Sequence, residues 1–421
     1  MAVRDVLAKM KDTITIDRDV PLEYEVSKIL AENQTTPVIF KNLAGMRAAG
    51  NIWSTRERIS GALDITKEQL IPKMLEAMAN PSEPKVAKEG AFMDDVRTEF
   101  DLTKLPIPKY FPGDQGRYIT SAVAVAEYEG KRNLSFHRMK LHDERSFALR
   151  LVPRHLYTMW KNAQAQGKEL PVAFCMGVCP PVLLAAAIST DYGTDEMRIA
   201  NSLRERTKGS GLEVAKLNNG LMVPAASEIV FEGRITSRMV DEGPFMDITG
   251  TYDSVRKAPI FEVDRLYMRK DPLFHLLLPG GYEHYMLMGL PREPIIYRTV
   301  NQVVPKVHGV RLTEGGCCWL HGVVSITKNK EGDGINAAMA AFSGHPSMKK
   351  VTIVDEDIDI FDDRDVEWAE ATRFQASRSL MVVNNAAGSS LDPSSEGTTS
   401  KVAIDATKPF GAKGFDRAKL A

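Results

Sequence analysis

A chain of 421 residues is too long for one ordinary hydrophobic core, and two or three domains follow. Its 43% hydrophobic and 26% charged residues are those of a globular protein, which excludes a disordered or fibrous chain. With 54 basic against 55 acidic residues the formal charge is −1, so broad electrostatic binding to nucleic acid or an anionic membrane is excluded as well.

The start, MAVRDVLAKMKDT, lacks the apolar core of a signal peptide, and no run of 18 apolar residues follows. A cytoplasmic protein is expected. In the first hundred residues helical patterns alternate with short apolar runs. PVIF (37–40) is predicted as a strand and NLAG as the turn after it. Thr66 and Gln69 form a capping box for a helix carrying Leu70, Leu75 and Met78, which Pro72 should kink. The Pro-rich LPIPKYFPGD (105–114) marks a boundary near residue 105.

From 117 to about 270 the texture is strand-like. YITSAVAVAEY, NLSFHRMKLH and FALRLVP are separated by the hairpin-length turns EGKR and DERS, and a helical patch follows at 155–167. ASEIVFEGRIT and PIFEVDRLYMR extend the pattern into an antiparallel, barrel-like domain with inserted helices. After about 300, VHGVRLT, WLHGVVSIT, GINAAMAAFSG and KKVTIVDEDI alternate strand and helix, as a smaller α/β layer does. The small polar residues of 384–400 read as a loop and the last twenty residues as a tail.

Several chemistries can be set aside. There is no G-x-x-x-x-G-K-[ST], H-E-x-x-H or G-x-S-x-G, and KGSGLEV reads as a turn. The acidic run at 354–365 lacks the Gly and Glu of a calcium loop, and reads as a strand end running into a helix capped by Asp365. Four cysteines without zinc-finger spacing read as packing thiols.

Two segments remain. RNLSFHRMKLH (132–142) puts Asn133, Ser135 and His137 on one face of a strand, with Arg138 opposite unless a bulge intervenes. Taken alone it reads first as the polar face of a barrel strand. DEGPFMD (241–247) holds Glu242 and Asp247 about a Gly-Pro turn; paired acids beside an arginine suit proton transfer, though surface acids at a turn are the plainer account.

Six collinear fragments together resemble the UbiD family of reversible decarboxylases. They are N-x-S-x-x-R at 133–138, LVPRHL at 151–156, VPAASEIVFEG at 223–233, EGPFMD at 242–247, DVEWAEATR at 365–373 and KVAIDATKP at 401–409. The resemblance implies a mixed α+β and α/β multidomain fold. It would comprise an N-terminal α/β domain (1–105), a central split barrel of flavin-reductase type (106–300), a C-terminal α/β domain (301–390) and a loop with a terminal helix (391–421). It implies prenylated FMN, Mn²⁺ or Mg²⁺, and K⁺ as an optional ion, with a flavin prenyltransferase as supplier and a homo-oligomer (dimer or hexamer) as the assembly.

By the same resemblance Asn133, Glu196 and His155 are the metal ligands, with Asp195 a substitute for Glu196. Ser135, Phe136, His137, Arg138, Arg150, Leu151 and Lys401 join them around the cofactor. Arg138, Glu242 and Asp247 match the family's catalytic set, with Asp247 shorter than the usual Glu and assigned the proton transfer after CO₂ loss. LLPGGYEHYMLMGLPRE and GGCCWLHGVVSI resemble the shorter archaeal members, which implies an aliphatic unsaturated acid bearing a phosphate. His137, Lys140, His284 and Arg292 are then candidates for a second anion site. An aromatic-acid decarboxylase is the alternative, and a flavin-binding assembly subunit without activity is a second. The apolar segment 266–289, with the tail-proximal helix, suggests the contact surface of the oligomer, the alternative being that its residues fill the barrel core.

Overall fold

The N-terminal strands are short and parallel-paired where apolar residues run together. Ile14–Ile16 lies beside Val38–Leu43, which turns back antiparallel into Met46–Gly50. The fourth strand of this sheet, Leu273–Leu276, arrives from more than two hundred residues later and runs parallel to Met46–Gly50. The computed structural model describes residues 3–415, 417 and 418. They divide into two units, Met1–Leu287 and Met288–Ala421.

Between 95 and 268 the first unit builds a nine-stranded antiparallel sheet. The turn after Val123–Tyr128 shows how the sequence dictates the pairing. Glu129 and Gly130 both take left-handed φ (50° and 72°), and the chain reverses directly into Lys131–Phe136. The long strands Ile229–Glu242 and Arg256–Met268 form the centre, with a register shift at Gly233, where a Cβ would fall 1.9 Å from the carbonyl oxygen of Glu262. One face buries Phe147, Phe174, Phe231 and Phe261. Their rings meet edge-on at 5.7 Å (Phe147 and Phe231) and tilted at 4.8 Å (Phe174 and Phe261). Truncating one of them to Ala would cost about 3–5 kcal/mol.

The helices His155–Ala165, Pro180–Ala187 and Glu196–Lys208 are inserted between strands of this sheet. Pro180 and Pro181 open the second, where the missing N–H groups are not needed. The third is capped by Asp195, whose carboxylate accepts from the Met197 N–H, and ends at Gly209 with φ 68°.

In the second unit five strands lie in the order Lys306–Leu312, His321–Thr327, Lys350–Asp355, Thr399–Asp405, Leu380–Ala386. The middle three are parallel and the two edges antiparallel.

Several local expectations change. Pro72 falls in the first turn of the helix Leu70–Ala79, where it has no intrahelical bond to break, so it starts the helix instead of kinking it. The helix Asp363–Arg373 is capped by Asp362, one turn earlier than expected, while Asp365 turns inward to accept from the Asp359 N–H. Part of the expected loop at 384–400 is strand, because Leu380–Ala386 pairs with Thr399–Asp405. The tail carries no helix among its described residues after Asp405; Asp416 and residues 419–421 lie outside them. The apolar segment proposed as an oligomer surface fills the core: Leu266, Met268, Phe274, Leu276 and Leu278 pack into the main cluster of the first unit. Its apolarity therefore says nothing about assembly.

Candidate active site

Strand Lys131–Phe136 ends one residue before His137, and the next strand begins at Met139. His137 and Arg138 thus sit in a corner between two strands, and this break in alternation lets neighbouring residues serve two adjoining clusters.

The first cluster follows the strand face. Ser135 Oγ lies 3.0 Å from Asn133 Oδ1 and 2.9 Å from His137 Nε2, while His137 Nδ1 is 3.0 Å from the carbonyl oxygen of Arg150. Burial pushes the His137 imidazole down to about 4, so it is neutral. Its one N–H belongs on Nδ1, facing the Arg150 carbonyl, and Nε2 accepts the Ser135 hydroxyl. Asn133 Oδ1, within reach of the same hydroxyl, keeps at least one lone pair free.

Glu196 opens its helix pointing back at this strand. Its Oε2 accepts from the Leu134 N–H at 3.0 Å and from Asn133 Nδ2 at 3.3 Å, and its Oε1 accepts from Thr190 at 2.8 Å. The carboxylate is 2% exposed, and its one ion-pair partner among the described residues is His155, with Nδ1 at 3.6 Å. A carboxylate buried so deeply with no arginine or lysine is costly unless a cation joins it. The free carboxamide oxygen, the carboxylate and the imidazole are a donor set suited to a hard or borderline divalent ion such as Mg²⁺ or Mn²⁺. No three His, Cys, Asp or Glu side chains form such a group by themselves among the described residues, so Asn133 is needed. Asp195 is occupied otherwise, capping the helix and pairing with Arg132 at 3.1 Å.

The second cluster is built on Arg138. Its Nε and Nη2 form a fork on Glu242 at 2.9 and 3.0 Å, and Nη1 donates to Asp247 at 2.9 Å. Phe245, between the two acids, lies under the guanidinium at 4.6 Å. The chain can make this turn because Gly243 adopts φ 93°, at a place where a Cβ would meet the Ser254 carbonyl at 2.9 Å. Burial works against the Arg138 charge, but Glu242, Asp247 and Asp253 together hold its pKa above the usual arginine value.

Asp253 is the residue that sequence reasoning missed. It accepts from Arg138 Nη2 at 3.1 Å and lies 3.6 Å from Arg150 Nε. Through its carbonyl and its guanidinium, Arg150 therefore touches both clusters. The signal was the pattern FM-DITGT-YD, a hairpin in which Phe245 pairs with Asp253.

The other expected residues are placed as follows. Phe136 is half-buried and Leu151 buried near the strand corner. Lys140 donates to Gln115 and to the Asp241 carbonyl, both at 2.7 Å. His284 accepts the Gly280 N–H on Nδ1, which leaves Nε2–H as its donor; burial lowers its pKa against the opposing pull of Asp247. Lys401 and Arg292 belong to the second unit. There Lys401 donates to the Pro346 and Met348 carbonyls at 2.5 and 2.6 Å, and Arg292 lies 5.2 Å from the Trp319 ring.

The chain is a carboxy-lyase by family. Three models of 3-octaprenyl-4-hydroxybenzoate carboxy-lyase match it in order: the N-terminal domain over residues 4–78, the Rift-related domain over 84–282 and the C-terminal domain over 285–406. The protein belongs to the UbiD family. It is 44% identical to the anhydromevalonate phosphate decarboxylase of Methanosarcina mazei and 43% identical to that of Methanocaldococcus jannaschii, over 99% of both chains in each case. Among solved structures it resembles the UbiD-class enzyme HmfF from Pelotomaculum thermopropionicum in complex with FMN, with a TM-score of 0.96, 34% identity, and coverage of 100% of this chain and 97% of that one. An evolved dimeric form of HmfF in complex with prenylated FMN gives 0.92 and 32%, at the same coverage. The mixed α/β architecture with a half-barrel sheet is thus that of the family.

Proposed function

We propose that the chain decarboxylates trans-anhydromevalonate 5-phosphate to isopentenyl phosphate without net oxidation, using prenylated FMN and a Mn²⁺ or Mg²⁺ ion. The observation that carries this reading is Arg138 held between Glu242 and Asp247, in the strand corner that leads into the Asn133, Glu196 and His155 donor set. Full-length identity to the archaeal decarboxylases supports the choice of substrate.

Asn133, Glu196 and His155 would hold the metal, and Ser135, Phe136, His137, Arg150 and Leu151 would surround the flavin. When bound, the prenylated flavin supplies the electron sink that accepts the pair left by CO₂. Glu242 fixes the plane of the Arg138 guanidinium by a two-point contact, so the substrate carboxylate would approach the remaining edge, where Asp247 and Asp253 now stand. Asp247 is 16% exposed on its side chain, more than Glu242 at 0%, and is the acid that can reach a substrate carbon. It delivers the proton after CO₂ leaves; its shortness relative to Glu is met by a closer substrate or a bridging water.

For the phosphate end, His284 keeps a free Nε2–H and Lys140 keeps one N–H beyond its two bonds. His137 has both ring nitrogens engaged and is not available. The central sheet would correspond to a split barrel of flavin-reductase type, and the enzyme would work in the cytoplasm as a homo-oligomer supplied by a flavin prenyltransferase.

Protein made beside a flavin prenyltransferase tests the reading. The mass of its released cofactor and CO₂ release across phosphorylated aliphatic and aromatic acids would be measured together. Prenylated FMN with turnover of the phosphorylated acid is expected. Turnover of an aromatic acid in its place would overturn the substrate assignment.

A further inference from the structure

A guanidinium has five N–H groups, and Arg138 has already committed four of them. Glu242 takes the side fork, Nε and one hydrogen of Nη2, and Asp247 takes one hydrogen of Nη1. The second hydrogen of Nη2 goes to Asp253 at 3.1 Å. A substrate carboxylate bound at two points needs the end fork, which is Nη1 and Nη2 together. Half of that fork is taken by Asp253.

Asp253 is also the acid with the most partners besides Arg138. Glu242 is fully buried and held by two bonds from Arg138. Asp253 has other holders: Arg150 Nε at 3.6 Å from Oδ2, and the Ser254 N–H at 2.8 Å and Arg256 Nη2 at 3.2 Å from Oδ1. Its own side chain is 7% exposed, but it stands on a hairpin whose two strands are two residues each, with Tyr252 at 49% and Val255 at 53% exposure nearby. A small shift of that strand would carry the carboxylate from Arg138 toward Arg256 without leaving it unpaired.

We propose that Asp253 occupies the place of the substrate carboxylate on Arg138 and is passed to Arg150 and Arg256 when the acid binds. It is a positioning residue that acts through Arg138, and this rests on the decarboxylase reading above. A competing internal ligand lowers apparent affinity by the fraction of molecules in which the site is open. Any acid must therefore displace Asp253, which disfavours substrates that cannot present a two-point carboxylate to the arginine.

The test uses two variants with opposite expected signs. Calorimetry with 3-methyl-5-phosphooxypentanoate, a saturated acid that cannot react, reports binding apart from turnover, and KM and kcat are read on the loaded enzyme. Asp253→Asn keeps the shape and removes the charge; its affinity for the saturated acid should rise about threefold to tenfold, with KM falling in step. Arg256→Gln removes an alternative holder and should weaken binding by a similar factor. The double variant should match Asp253→Asn, since nothing remains to be passed on. A merely structural role predicts weaker binding and lower melting temperature in both single variants, and that result would overturn the proposal. So would unchanged affinity in a folded Asp253→Asn. If that variant does not fold, unchanged affinity in Arg256→Gln overturns it alone. Wild-type protein that binds and decarboxylates no acid would instead defeat the decarboxylase reading.

Discussion

Between pH 6.5 and 4 the folded chain refuses a proton that the unfolded chain accepts, because His137 is 7% exposed and burial has pushed its imidazole from 6.5 to about 4. The sign follows from proton counting. The unfolded state binds more protons in this window, so stability is complete above pH 6.5 and is lost as pH falls toward 4. Each pH unit is worth about 1.4 kcal/mol, so the whole window is worth about 3 kcal/mol. His284 and His321 are also pushed down by burial and tilt the wild-type curve the same way, so the informative quantity is the difference from His137→Gln. Glutamine can bond to Ser135 and to the Arg150 carbonyl but cannot titrate. Urea unfolding of cofactor-free protein from pH 4 to pH 7 should show the wild type losing about 3 kcal/mol more than the variant. Parallel curves would refute the reasoning. They would also remove the basis for a neutral His137, and with it the argument that Ser135 leaves the Asn133 carboxamide oxygen free for a metal.

Two further outcomes concern the site. Asn133→Ala and Glu196→Gln should each lose metal, read by elemental analysis, and with it most of the bound flavin, read by absorbance; wild-type occupancy of both would dissolve the donor set. Asp247→Asn should keep flavin and fold while turnover falls about 10²- to 10⁴-fold, the usual loss for a positioned acid. A wild-type rate with normal incorporation of solvent deuterium would move the proton to Glu242.

How much of this could be read in advance depended on whether a residue acts along its own strand or across the fold. Asn133, Ser135 and His137 were legible because alternation puts them on one face, and the structure joins them through the Ser135 hydroxyl. Arg138 was legible only as an exception, since alternation sent it to the other face; the strand break after Phe136 is what frees it. Glu242 and Asp247 could be paired through the Gly-Pro turn between them, but nothing local says that Arg138, more than a hundred residues away, lies between their carboxylates. Asp253 was illegible for a related reason. Of its three arginine neighbours Arg256 is local, but Arg138 and Arg150 come from more than a hundred residues earlier, and nothing near Asp253 announces them. The same limit left two readings open for the segment at 266–289. Its apolar residues carry no mark that distinguishes an interface from a core, and the parallel pairing of Leu273–Leu276 with Met46–Gly50 decides the matter by drawing them inside. Long-range contacts thus hid both the missed acid and the core role of that segment. A search for further functional residues in such a chain therefore does best to begin where a short hairpin crosses a charged strand corner.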